Sequence, residues 1–254
     1  MSRRTTWAAV IAAAIAVLAA GTLGTTADAA GRALPLRLAH VGVSRQVVVV
    51  TAATWDTSFA RLQTWESTTP GEWQPVMTPV RARIGWSGFR RDANRLQNTG
   101  KTPAGTFRLL SGFGIVEPNG VDVPYRVVDG NDWWPYDPTD PTTYNVQQFR
   151  RVRQAQWRTD WAEHLHGYST QYRYAVVIDY NLPEGIKRSN GQRVATVPAD
   201  TRKGGGIFLH VNGDGATAGC VSVSRHNMRS VLRWLDPDLD PIIVMGPRDV
   251  INRM

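Results

Sequence analysis

Apolar positions along this chain fall into short runs, and most of those runs have the two-residue period of a half-buried strand. Gln46 to Thr51 is a β-branched run, Phe59 to Trp65 and Trp73 to Ile84 alternate in part, and Tyr172 to Tyr180 combines aromatic and β-branched residues. Such runs predict strands. Turn dipeptides punctuate them: Pro70-Gly71, Asn119-Gly120, Asp129-Gly130, Asn190-Gly191 and Asn212-Gly213. Helical periodicity is scarce. Ser224 stands where it can cap a helix whose Met228, Val231, Leu232 and Leu235 share one face, and Asp236-Pro237 ends it. From Arg150 to Leu165, the positions of Phe149, Val152, Trp157 and Trp161 fit a helical face imperfectly, and an irregular arm fits them equally. The expected class is mainly β with one or two packed helices.

The amino terminus departs from this pattern. Arg3 and Arg4 precede an apolar stretch from Trp7 to Ala20, and Ala27-Asp28-Ala29 offers a small-x-small cleavage site before Ala30. Residues 1–29 therefore read as a signal peptide, and the expected location is exported, in the cell wall or extracellular. The alternative is a membrane anchor, since Trp7 to Leu23 reaches about 17 residues, the short edge of a spanning helix. Apart from that uncleaved signal, no membrane attachment is expected. No later segment is apolar for a membrane-spanning length, no repeat is visible and no linker divides the remainder, so residues 36–254 read as one domain.

Composition narrows the classes. Of 254 residues 42% are hydrophobic, with 10 Trp, 7 Tyr and 6 Phe, which is enough aromatic surface to build a core and exclude disorder for the bulk. The single cysteine, Cys220, excludes a disulfide scaffold. Basic residues outnumber acidic ones 29 to 21, nearly all of them arginine. No Lys/Arg run carries interleaved aromatics, so nucleic acid is not an expected partner, while an anionic envelope polymer suits the charge.

Chemistry gathers between Gly204 and Val223. Two short strands joined by a glycine-rich loop would send Ile207, Leu209 and Val211 one way and Phe208 and His210 the other, with Val221 and Val223 opposing Cys220 and Ser222. The apolar sets claim the core, which frees His210 and Cys220 for the opposite face. A cysteine is only a few per cent thiolate near neutrality, so a nucleophilic role requires a base, and histidine has the suitable pKa. Gly219 permits close approach of a substrate carbonyl, and its N–H or that of Cys220 is a candidate oxyanion donor. The spacing alone fits equally an inert buried cysteine beside a surface histidine.

The segments Ile207-Phe208-Leu209-His210, Thr217-Ala218-Gly219-Cys220-Val221 and Lys101-Thr102-Pro103-Ala104-Gly105-Thr106-Phe107 occur in an order that resembles the L,D-transpeptidase (YkuD-like) catalytic domain. Glu163-His164-Leu165, the strand Val176 to Asn181 and Trp234 to Pro237 are similar to an exported actinobacterial branch, and the likeness spans roughly Gln46 to Gly246. The resemblance implies a β-sandwich with one or two packed helices. It implies a cysteine acyltransferase without a cofactor or metal, acting on peptidoglycan stem peptides and acylated by penem-type β-lactams. Cys220 would be the nucleophile, His210 the base, and the Val211 carbonyl would orient the His210 ring. Transfer of the Cys220 thioester to an amine would make 3→3 cross-links, and water as acceptor would make an L,D-carboxypeptidase instead. Two positions depart from the commoner family motif: Ala218 replaces a second histidine and Ser222 an arginine. Thr217 matches that motif and is a candidate substrate contact.

Other candidates come from the residues themselves. Trp134, in the aromatic cluster Asp132 to Asp137, reads as an exposed substrate wall or as packing, and Lys101 as a partner for a stem carboxylate or a solvated turn lysine. Glu163, His164 and His166 suggest a metal-dependent peptidase, although two histidines at i, i+2 share a face only in extended structure. A non-catalytic wall-binding module, with tryptophans stacking on sugars, is the remaining class.

Overall fold

Val47 to Val50 have no solvent-facing side because strands flank them on both edges and core covers both faces. The computed structural model describes residues 34–149, 151, 155 and 157–254, so the signal expected at 1–29 lies outside the described residues. Gln46–Ala52 runs parallel to Ile242–Pro247 and antiparallel to Phe59–Thr69. Pairing continues from Ile242–Pro247 through Thr102–Gly114, Ala175–Ile178, Phe208–Val211, Val221–Val223 and Val80–Arg83, and returns to Phe59–Thr69. The sheet path thus closes on itself in a mainly β body, as the periodicity predicts, and is compatible with the sandwich that the resemblance implies. Closure leaves no free edge along this path, which removes the usual site of strand addition.

Ser224 caps the expected helix, accepting the Asn227 N–H at 3.3 Å. The helix, Arg225–Trp234, buries Met228, Val231 and Leu232 against the strands that carry the site. Among the described residues it is the one α-helix. Residues 150, 152–154 and 156 of the second candidate lie outside the described residues. The chain beyond them forms a 3-10 turn at Thr159–Trp161, a short strand Ala162–His164 and another 3-10 turn at Leu165–Gly167, so the irregular arm is the observed form there.

The longest strand, Thr102–Gly114, is one the apolar pattern does not show, because Pro103, Gly105, Gly112 and Gly114 interrupt it. Tertiary packing overrides the weak propensity. Gly112 is required there, since a Cβ would stand 2.6 Å from the Tyr125 ring.

Candidate active site

Phe208–Val211 and Val221–Val223 lie side by side in parallel, with Leu209 beside Val221 and His210 beside Ser222. Alternation then puts Ile207, Leu209, Val211, Val221 and Val223 in the main core, as expected. Phe208 and Cys220 enter a second cluster with Phe113, Trp134, Leu165 and Tyr172. His210 faces the same way, its ring edge-on to Tyr172 at 5.6 Å.

The His210 Nδ1 lies 2.8 Å from the Val211 carbonyl oxygen. A carbonyl oxygen only accepts, so Nδ1 carries the proton and Nε2 keeps the lone pair. Burial depresses the His210 pKa to about 4, against the opposing pull of that hydrogen bond. The imidazole is therefore neutral at physiological pH, in the tautomer a base requires.

Cys220 lines an open cleft together with Arg95, Tyr136, Glu163, Gly206, Ala218 and Gly219. Its thiol donates to the Gly206 carbonyl at 3.3 Å and accepts from the Phe208 N–H at 3.3 Å. Burial, then the Glu163 charge, pushes its pKa up to about 12, while the Phe208 N–H and Arg95 act the other way. The resting pair is thus thiol and neutral imidazole, with no direct hydrogen bond between the two side chains.

The turn before Cys220 is tied down locally. Thr217 Oγ1 donates to the Cys220 carbonyl at 2.6 Å and accepts the Gly219 N–H at 3.2 Å. Thr217 therefore holds the turn and is not part of the cleft lining. Gly219 has φ +153°, in the region that favours glycine, and a Cβ there would meet Arg95 Nη2 at 2.8 Å.

Two sequence candidates do not line the cleft. Trp134 is 4% exposed, packs edge-on against Phe208 at 4.7 Å and donates its indole N–H to Asn145 Oδ1 at 2.7 Å. The Asp132–Pro135 strand is buried throughout, with Trp134 packed against Phe113 and Phe208, which corrects the exposed reading of this cluster; Tyr136 is its cleft-lining neighbour. Lys101 pairs with Asp56 at 2.9 Å, and its carbonyl accepts from Arg95 Nε at 2.8 Å. The i, i+2 histidines also lie elsewhere. His164 stacks on Trp133 at 4.4 Å with Nε2 3.2 Å from the Gly130 carbonyl, and among the described residues no three His, Cys, Asp or Glu side chains gather as a metal site.

Several residues that shape the cleft carry no local sequence signal. Arg95 is 4% exposed and has no carboxylate partner among the described residues; it donates instead to the carbonyls of Lys101 and Lys203. Ser222, where the commoner motif has arginine, is buried with an unpaired hydroxyl. Arg95 thus brings a guanidinium to the same turn from a distant part of the chain. Asn145 is a hub. Its Oδ1 accepts from Trp134 and from the Gly206 N–H at 2.8 Å, and its Nδ2 donates to the Asn181 carbonyl at 2.6 Å. This fixes Gly206, whose carbonyl receives the thiol. Asn145→Ala leaves these buried groups unpaired and should cost about 2 to 4 kcal/mol, read as a lower urea midpoint at unchanged m-value.

A buried cysteine lines the cleft of this mainly β sheet, and a carbonyl-oriented histidine shares its strand face. The L,D-transpeptidase catalytic domain (YkuD) family matches residues 56–244, most of the chain, and the chain belongs to that family. No curated protein and no solved structure matches it.

Proposed function

We propose that this protein is an exported cysteine acyltransferase of the cell wall that loads peptidoglycan stem peptides onto Cys220. The observation that carries this reading is the pinned His210 ring, which keeps a proton-free Nε2 on the strand face that also bears the cleft thiol. The thiol proton leaves the Gly206 carbonyl for that Nε2 as Sγ attacks the carbonyl of the diamino acid at position three of a tetrapeptide stem. His210 then returns the proton to the departing D-alanine amine, and a thioester remains. The Cys220 main-chain N–H serves the oxyanion, the Gly219 N–H being turned to Thr217, and the Arg95 guanidinium supports the same charge from beside Gly219. An amine resolves the thioester into a 3→3 cross-link. The surplus positive charge suits residence among anionic wall polymers.

Incubation with defined tetrapeptide stems and mass spectrometry of the products tests the reading. Cross-linked dimers support it, tripeptide without dimer gives the carboxypeptidase variant, and neither product rejects the enzyme and leaves the wall-binding module. EDTA should leave turnover unchanged while exhaustive iodoacetamide treatment abolishes it, because a Cys/His pair needs no Lewis acid. The reverse pattern would favour metal chemistry at His164 and His166.

A further inference from the structure

The cleft holds a carboxylate that the acylation step does not use. Glu163 sits in the Ala162–His164 strand, directly across from Trp134, and faces the cleft while its neighbour His164 turns away to stack on Trp133. Its Oε2 accepts the Tyr172 hydroxyl at 2.6 Å. Oε1 has no partner among the described residues, and no basic side chain there pairs with the group; Arg95, the cation of the cleft lining, donates to the carbonyls of Lys101 and Lys203. Tyr172 in turn sets its ring edge-on to His210 at 5.6 Å and Phe208 at 5.7 Å, and Glu163 and Cys220 line the same cleft.

This placement burdens the first half of the reaction, because a negative Glu163 opposes the Cys220 thiolate. A half-buried carboxylate without a counter-ion costs free energy unless a ligand supplies one. We infer that Glu163 is the docking and proton-accepting group for the amine of that cross-linking step, which it receives as a primary ammonium. The inference rests on the thioester reading above and assigns a residue to its second step. Burial raises the Glu163 pKa against the lowering effect of the Tyr172 hydrogen bond, bringing a carboxylate nearer the range of a useful base.

The step balances. The ammonium gives one proton to Glu163, its nitrogen forms a bond to the thioester carbonyl carbon, and the C–S bond breaks as the tetrahedral intermediate collapses. A second nitrogen proton passes through His210 Nε2 to the departing sulfur. Glu163 then releases its proton to solvent, leaving amide, thiol and one free proton.

The full chain and its Glu163→Gln variant are loaded with a synthetic tetrapeptide and offered Nα-acetyl-lysine, an ammonium, or hydroxylamine, a largely neutral nucleophile at pH 7.5. The glutamine keeps an oxygen for Tyr172 and removes only the charge. D-alanine release should not fall, because the charge that opposes the thiolate is gone, while the ratio of lysine amide to hydrolysed tripeptide should fall about 10- to 100-fold, the span of one charged hydrogen bond. Hydroxamate formation should not change. Tyr172→Phe keeps the charge and the ring, so it should retain most of the amide ratio. An unchanged ratio in Glu163→Gln, or a loss in Tyr172→Phe as large as in Glu163→Gln, would assign Glu163 to fixing Tyr172 and overturn the inference. Tripeptide as the sole wild-type product would overturn it too, while leaving the thioester intact. Absence of D-alanine release would remove the thioester reading and this inference with it.

Discussion

Cys220→Ser should abolish both D-alanine release and covalent capture by a penem. Cys220 is the only thiol of the chain, so intact-mass spectrometry has one site to report on: the wild-type protein should gain one drug equivalent and the serine variant none. The reason lies in the pairing at the site. A serine hydroxyl is far less acidic than a thiol and needs a base that takes its proton fully during attack. His210, depressed to about 4 by burial, is a weak base and matches a thiol better than an alcohol. Folding should survive, since serine can keep both the Gly206 and the Phe208 hydrogen bonds. A persisting adduct of equal mass on Cys220→Ser would place the nucleophile elsewhere.

His210→Gln should lower acylation by about 10² to 10⁴-fold, the contribution of a positioned general base. Ala218 removes the second histidine of the commoner motif, and among the described histidines no other shares the face of the thiol: His164 is stacked on Trp133, while His40, His166 and His226 are exposed. His164→Gln and His226→Gln should therefore stay within about threefold. The sign of the pH effect follows from the direction of the shift. His210 works only when neutral, so the wild-type acylation rate should hold as pH falls through the usual histidine range and drop only near its depressed value of about 4. That limb should vanish in His210→Gln. A wild-type limb that stays near pH 6.5 would mean that water reaches His210 in the working enzyme. Should His164→Gln prove as damaging as His210→Gln in a folded protein, the single-base assignment is wrong.

Much of the site's framework was legible because it is local. The alternation of Ile207, Leu209 and Val211 against Phe208 and His210 needs only the two-residue period of a strand. Ser224 with Met228, Val231 and Leu232 needs only a helical turn, and the Asn190-Gly191 dipeptide makes the expected tight turn with both residues at positive φ. The side-by-side partner of His210 was not legible: parallel pairing puts Ser222 there and sets Cys220 two residues back.

The sequence by itself determined the strand-rich class, the capped helix, the lone thiol and the strand parity that lets His210 share its face, because each depends on residue type and on spacing of a few positions. Tertiary structure decided the rest. Arg95, Asn145, Glu163 and Tyr172 come from separate segments, and only the closed sheet and its covering arm bring them to Cys220. Trp134 turned inward for the same reason, since Phe113 and Phe208 from distant strands cover its face, and no short-range rule encodes that. Burial also set the chemical state of the pair, pushing the thiol up and the imidazole down, because desolvation is a property of the assembled site and not of any segment within it.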